Sequence, residues 1–176
     1  MELSKYVACI CEGSAEKAII ELLLDNDKLI FNYDNLLDGE VLRCRNAKVF
    51  EEQHLRKGFT EKITVLRILD SRREKFKLGK AYENKIDVIN VITAPEIEML
   101  IIISEGKFAD YKNNAKKYEQ KPSIYCKKKL RYSDVKSTEF VKNYFGNVDI
   151  LINAIKEYKR LSNIQHGEYT LEDLIK

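Results

Sequence analysis

The chain has few of the features that would place it in a membrane, an export route or a disulfide scaffold. No apolar run in its 176 residues approaches a membrane crossing, which takes about 20 consecutive apolar residues. The longest, "IEMLIII", meets acids and basic residues within a few positions. The opening "MELSKYVACICEG" puts no basic region ahead of a signal-like apolar stretch, so the expected location is the cytoplasm, with no membrane partner. Prolines number two, and no linker, repeat or low-complexity tract interrupts the chain. With 44% hydrophobic residues, that length suits one core and is short for two, so a single domain over residues 1–176 is expected. The four cysteines, Cys9, Cys11, Cys44 and Cys126, are too few and scattered for a disulfide framework. Their spacing matches no zinc finger or knuckle, which leaves reduced packing residues as the expectation. There is no Gly-x-Gly-x-x-Gly, Walker loop or Gly-x-Ser-x-Gly elbow. His54 sits among charges and His166 in a polar stretch, neither with a partner at catalytic spacing, so both are expected at the surface.

What is present alternates in period. "KYVACIC" is a short, nearly all-apolar run, as in a strand covered on both faces. From Ser14, the expected N-cap, Ile19, Ile20, Leu23 and Leu24 share one helix face that ends near Asp27. Then come "EVLRC" (strand), "AKVFEEQHLRKGF" (helix, with Gly58 near its end), "KITVLRILD" (strand), "SRREKFKLGKAY" (polar connection or short helix) and "IDVINVIT" (strand). Pro95 is placed for the first turn of a helix through "PEIEMLIII". Beyond Ser104 the expected elements are helices: "FADYKNNAKKY", "PSIYCKKKL" opened by Pro122, "STEFVKNYF" closed by Gly146, "VDILINAIKEYKRL" and a short "TLEDLIK". The pattern predicts an α/β fold, a mainly parallel sheet flanked by helices over residues 1–104, with an all-helical C-terminal half over 105–176 packed on it.

Net charge is only +3, but its distribution is uneven. From Lys112 to Lys136 lysines and arginines, including Lys127, Lys128, Lys129 and Arg131, crowd around few acids, with Tyr111, Tyr118, Tyr125 and Tyr132 interleaved. Such a stretch is either a nucleic-acid surface or a solvated helical face.

Ligands of open parallel sheets bind beyond the carboxyl ends of the strands, and acids stand at or just after three such ends. Glu12 follows the first strand, Asp70 ends "ITVLRILD", and Glu96 and Glu98 follow "VINVIT". Converged, such hard oxygen donors suit Mg²⁺ or Mn²⁺. Plainer alternatives stand beside each: Glu12 capping the next helix, Asp70 capping a "SRREKF" helix, Glu96 a first-turn acid behind Pro95, Glu16 a solvated residue. Glu98 resists that treatment, because an unpaired charge in an apolar segment is costly.

"CEGSAEKAII" resembles the first motif of the Toprim fold, a glutamate after the first strand leading into a helix, and "RILDSRRE" resembles its later D-x-D motif. "TAPEIEMLIII" is similar to the proline, glutamate and apolar helix of the RloB-like branch, found beside bacterial restriction and defence genes. The later "KPSIYCKKKL" and "LINAIKEYKRL" loosely resemble that branch's helical tail. The resemblance implies a Mg²⁺- or Mn²⁺-dependent nuclease. Its catalytic residues would be Glu12 and Asp70 and its metal ligands Glu12, Asp70 and Glu98, with Arg72, Arg73, Lys75, Lys77 and the 112–136 stretch holding the strand. The chain departs from the family at Arg72, which stands where a second aspartate belongs. That favours a rival: a non-catalytic Toprim-like subunit binding nucleic acid or a partner ATPase encoded nearby. The apolar "IEMLIIISEG" helix leaves a homo-oligomer as a further partner.

Overall fold

The computed structural model describes residues 1–56 and 59–176, so the expectation that Gly58 lies near a helix end falls outside the described residues. Four parallel strands, β1 (Tyr6–Cys11), β2 (Leu42–Arg43), β3 (Ile63–Leu69) and β4 (Ile86–Ile92), make one sheet in the order β2-β1-β3-β4. Ile10 stands opposite Leu42 on one side and Arg67 on the other, and Ile63 opposite Ile86. The strand expected in "EVLRC" shortens to two residues at the sheet's edge.

The central strands are apolar at nearly every position because both faces are covered. Val7, Cys9 and Cys11 of β1 and Leu66 and Ile68 of β3 enter one cluster, while Ala8, Ile10, Ile63 and Val65 enter a second. All four cysteines are free and buried. Each valine, leucine or isoleucine so removed from water contributes roughly 1.5–3 kcal/mol.

The larger cluster is completed by α1 (Ser14–Asp25), α3 (Met99–Ser104), α4 (Phe108–Asn114), α5 (Pro122–Tyr125), α6 (Thr138–Tyr144) and α7 (Val148–Leu161), with Leu171 and Leu174 of a short closing turn. The smaller cluster is roofed by α2 (Ala47–Phe50) and the π-helical turn Glu51–Leu55 that continues it. In α7, Leu151, Ala154, Ile155 and Tyr158 recur at helix spacing and are buried. The Tyr158 hydroxyl donates to Ala94 O at 2.6 Å, tying α7 to the end of β4. Beyond Ser104 the chain is mostly helical, with isolated bridges from Tyr169 to Val91 and from Ile175 to Leu29.

Two local expectations need correction. Ser14 is the first helical residue of α1 and Gly13 its N-cap, which has no side chain to close that end. Pro95 does not open a helix: residues 95–98 form a tight turn in which Met99 N–H donates to Glu96 O and Leu100 N–H to Ile97 O, and α3 begins at Met99. Of the two alternatives for "SRREKFKLGKAY" the connection is what forms: it runs irregularly from Asp70 to β4, with no helix for Asp70 to cap. No helix of the described residues is long and apolar enough to cross a membrane.

Candidate active site

β1 leads to β2 on one side, and the chain then returns to lay β3 on the other. The winding thus reverses between β1 and β3, and a crevice opens there beyond the carboxyl ends of the strands. Glu12 is the residue after β1 and Asp70 the residue after β3. Both line a cavity of about 220 Å³, together with Gly13, Ser14, Ala15, Glu16, Arg45, Glu98 and Lys136. The proposed acids Glu12, Asp70 and Glu98 therefore share one hollow.

Glu12 is 9% exposed, and its Oε1 is buried with no hydrogen-bond partner. Burial first, then a hydrogen bond with Glu74 and the charges of Glu74 and Asp70, push its pKa up to about 8; Arg45 opposes them. Glu74 moves down, because Glu12 shares its proton with it and Arg67 holds it. The Arg67 Nη2 donates to Glu74 Oε2 at 3.1 Å, and its guanidinium lies over the Phe76 ring at 4.7 Å. Arg67 is 1% exposed with Nε and Nη1 unpartnered. It belongs to the face of β3 carrying Ile63 and Val65, where burial lowers its pKa and the charges of Glu74 and Glu12 oppose that.

The capping alternatives for Glu12 and Asp70 do not describe this arrangement. It is Glu16 whose side chain turns back on the start of α1: its carboxylate accepts from its own amide and from Gly13's, against a burial that raises its pKa. Its Oε2 lies 2.5 Å from where a Cβ on Gly13 would stand, so glycine leaves the room it uses. Glu98, 3% exposed, is raised to about 7 chiefly by burial, with Lys136 opposing.

Glu96 turns away from this hollow. Its Oε2 accepts from Ser123 N–H at 2.8 Å and its Oε1 from Lys136 Nζ at 2.9 Å. Those bonds hold its pKa below the ordinary value despite burial. Burial alone would lower the Lys136 pKa, yet Glu96, Glu98 and Glu16 together raise it. In the sequence Lys136 is one more lysine of a basic run; only its position beside three acids distinguishes it. Glu74 and Arg45 escape sequence reasoning because they lie in loops. Arg67 escapes it despite a visible signal, a charge inside "ITVLRILD".

The nucleic-acid candidates lie elsewhere. Arg72 donates from Nε and Nη2 to Glu168 at 2.6 and 3.1 Å and reaches Asn163 O at 3.3 Å, so it fastens the segment after α7. Arg73, Lys75, Lys127, Lys128, Lys129 and Arg131 are exposed, and none of them lines the cavity. The tyrosines interleaved with that run are not stacking platforms. Tyr111 and Tyr125 are buried edge to face, Tyr118 packs against Tyr125, and the Tyr132 hydroxyl donates to Glu105. His54 has a partner after all: its Nδ1 is 2.6 Å from Asp38 Oδ2.

In kind, the donor set fits a small divalent cation: carboxylates converging on one cavity, one with a buried oxygen left without a partner. In arrangement it is drawn apart. Among the described residues no group of three His, Cys, Asp or Glu side chains is gathered tightly enough to hold a metal ion. Glu12 is engaged instead with Glu74, Glu16 with its own helix start, and Lys136 stands beside Glu96, Glu98 and Glu16. No family model, no curated protein and no solved structure matches the chain.

Proposed function

We propose that the chain is a Toprim-like, Mg²⁺- or Mn²⁺-dependent phosphodiesterase acting on nucleic acid. The observation that carries this reading is that Glu12 and Asp70, the residues after β1 and β3, meet in one cavity at the point where the sheet reverses its winding. Glu12, Asp70 and Glu98 would hold the cation. When bound, it supplies charge neutralisation on the phosphate and water of lowered pKa. Without a cation, burial keeps Glu12 protonated up to about pH 8; as a ligand it would bind as the carboxylate, giving up that proton on cation entry and standing as the general base beside the attacking water. Glu74, itself held by Arg67, is the hydrogen-bond partner of that carboxyl. The RloB-like resemblance of the Glu12, Asp70 and Pro95–Glu98 motifs supports the substrate class and a setting in bacterial defence.

A second reading, a Toprim-like subunit that binds nucleic acid or a partner ATPase without cutting, draws on Arg72, which replaces the second family acid and is spent on Glu168. The deciding experiment incubates labelled single- and double-stranded DNA and RNA with the protein and Mn²⁺, beside Glu12→Gln and Asp70→Asn. Cleavage lost in both variants supports the enzyme. Binding without cleavage, unchanged in both variants, replaces it with the subunit.

A further inference from the structure

A second hollow, of about 530 Å³, opens at the same edge of the sheet, on the β4 side. Two loops lead to it from the acidic cavity. Asp70 lines the cavity and Arg72 the hollow; Glu98 lines the cavity and Pro95 the hollow. Two or three residues of chain span at most about 7–11 Å, so the two spaces are neighbours. Met99, Phe108 and Tyr111 give the hollow an apolar wall that also carries Lys112. No acid lines it, and Lys112 is exposed with no ion pair among the described residues. Phe108 is half-buried and stacks on no other ring among the described residues. Tyr111 is 6% exposed, yet its hydroxyl makes no hydrogen bond among the described residues and is not sealed from solvent.

We propose that the hollow is a subsite for one unpaired nucleotide of the substrate strand: the base stacks on Phe108 beside the Tyr111 hydroxyl, and the phosphate meets Lys112. This rests on the phosphodiesterase reading and deepens it, since it leads the strand from the acidic cavity across the loops after β3 and β4. The volume lies within the range of small-ligand sites, roughly 300–1,000 Å³, which are mostly apolar with a few placed polar groups. Stacking on an aromatic side chain accepts any base, because every base has a π-face. A duplex keeps its bases inside the stack, so a single strand or a splayed end enters at lower cost. The ammonium of Lys112 is a point charge with three donors on a flexible stem, suited to a phosphate oxygen. Arg72, fastened to Glu168 and to Asn163 O, supplies a fixed part of the wall.

The test is fluorescence anisotropy in EDTA, with no cation and no turnover. The probes are a short labelled single strand, as DNA and as RNA, and a strand of the same length without bases. Wild type should hold the strand with bases about tenfold tighter than the baseless one. Phe108→Leu, which keeps an apolar side chain on α4, should lose most of that preference. Lys112→Ala, at an exposed position, should weaken both strands alike and lower the log–log salt slope by about 0.7. Lys117→Ala, in the same basic run but off the hollow, should stay near wild type. Thermal unfolding of each variant confirms that the fold is kept. Equal affinity of wild type for the two strands, an unaltered preference in Phe108→Leu, or a loss in Lys117→Ala as large as in Lys112→Ala overturns the inference. Wild type that binds neither strand in EDTA yet cleaves with Mn²⁺ overturns it too and leaves the phosphodiesterase reading standing. Binding and Mn²⁺-dependent cleavage both absent from wild type overturn both.

Discussion

Replacing Glu12 by glutamine should stabilise the protein in alkaline solution, which a structural carboxylate would not do. The carboxyl is buried beside Glu74 and Asp70, and its pKa rises from 4.5 to about 8. The folded chain therefore binds more protons than the unfolded chain between those values, so stability falls as pH rises through that window. Below it, both states carry the proton and the penalty vanishes. At about 1.4 kcal/mol for each tenfold change in proton affinity, the full shift would cost several kcal/mol. The carboxyl opens onto a cavity and Glu74 shifts the opposite way, so the realised penalty should be about 1–2 kcal/mol after screening. Glutamine is close in shape to the protonated carboxyl, and its amide can donate to Glu74 as that carboxyl does. Urea unfolding followed by circular dichroism should give equal stabilities near pH 4.5 and a gap of about 1–2 kcal/mol in favour of Glu12→Gln at pH 8.5. The same variant should lose Mn²⁺ binding. A variant less stable than wild type at both pH values, or a gap that does not grow with pH, would refute the burial argument.

Other perturbations separate the site from its supports. Arg67→Ala removes a guanidinium that is 1% exposed and leaves Glu74 without its partner, so denaturant unfolding should show a loss of about 3 kcal/mol. Arg67→Met keeps packing against Phe76 and removes two unpartnered donors, and should cost much less. Arg72→Ala should lower stability by under about 1 kcal/mol, because the pair with Glu168 is partly exposed, and should leave Mn²⁺ affinity unchanged; a shift in that affinity would return Arg72 to the site. Replacing Lys127, Lys128 and Lys129 together by Ala should flatten the salt dependence of oligonucleotide binding by roughly 0.7–0.9 in log–log slope for each phosphate that a lysine no longer neutralises. An unchanged slope would identify that run as a solvated face.

The parts of this arrangement legible in the sequence are those set by short-range pattern. Apolar runs place β1 and β3, and a residue immediately after a buried run must emerge at the strand's carboxyl edge, so Glu12 and Asp70 are readable. The bounds of α7 are readable because Asn147 caps its first turn and the apolar spacing lasts to Leu161. Pro95 misleads, because the turn after β4 closes on backbone bonds and lends Glu96 to Ser123, a partner 27 residues away. Glu74 and Arg45 lie in irregular connections, and Lys136 is one lysine among many. What distinguishes them is where the chain returns, which no local window encodes. Arg72 looks like a site residue only by its place beside Asp70; its partner is 96 residues on.

The strand order also bears on how the chain is made. β1 is central, yet it emerges first during synthesis. Its main partner, β3, begins more than fifty residues later, and Leu151, Ala154 and Ile155, which complete the covering cluster, come later still. Until then the Val7–Cys11 run lacks its longest strand partner and part of the cover on the larger cluster's face. Pairing of this kind is slow, because loop closure precedes any gain from contact, and an unpaired apolar strand is prone to join a neighbouring chain. The strand that leads into the principal acid is thus open to aggregation until β3 has emerged.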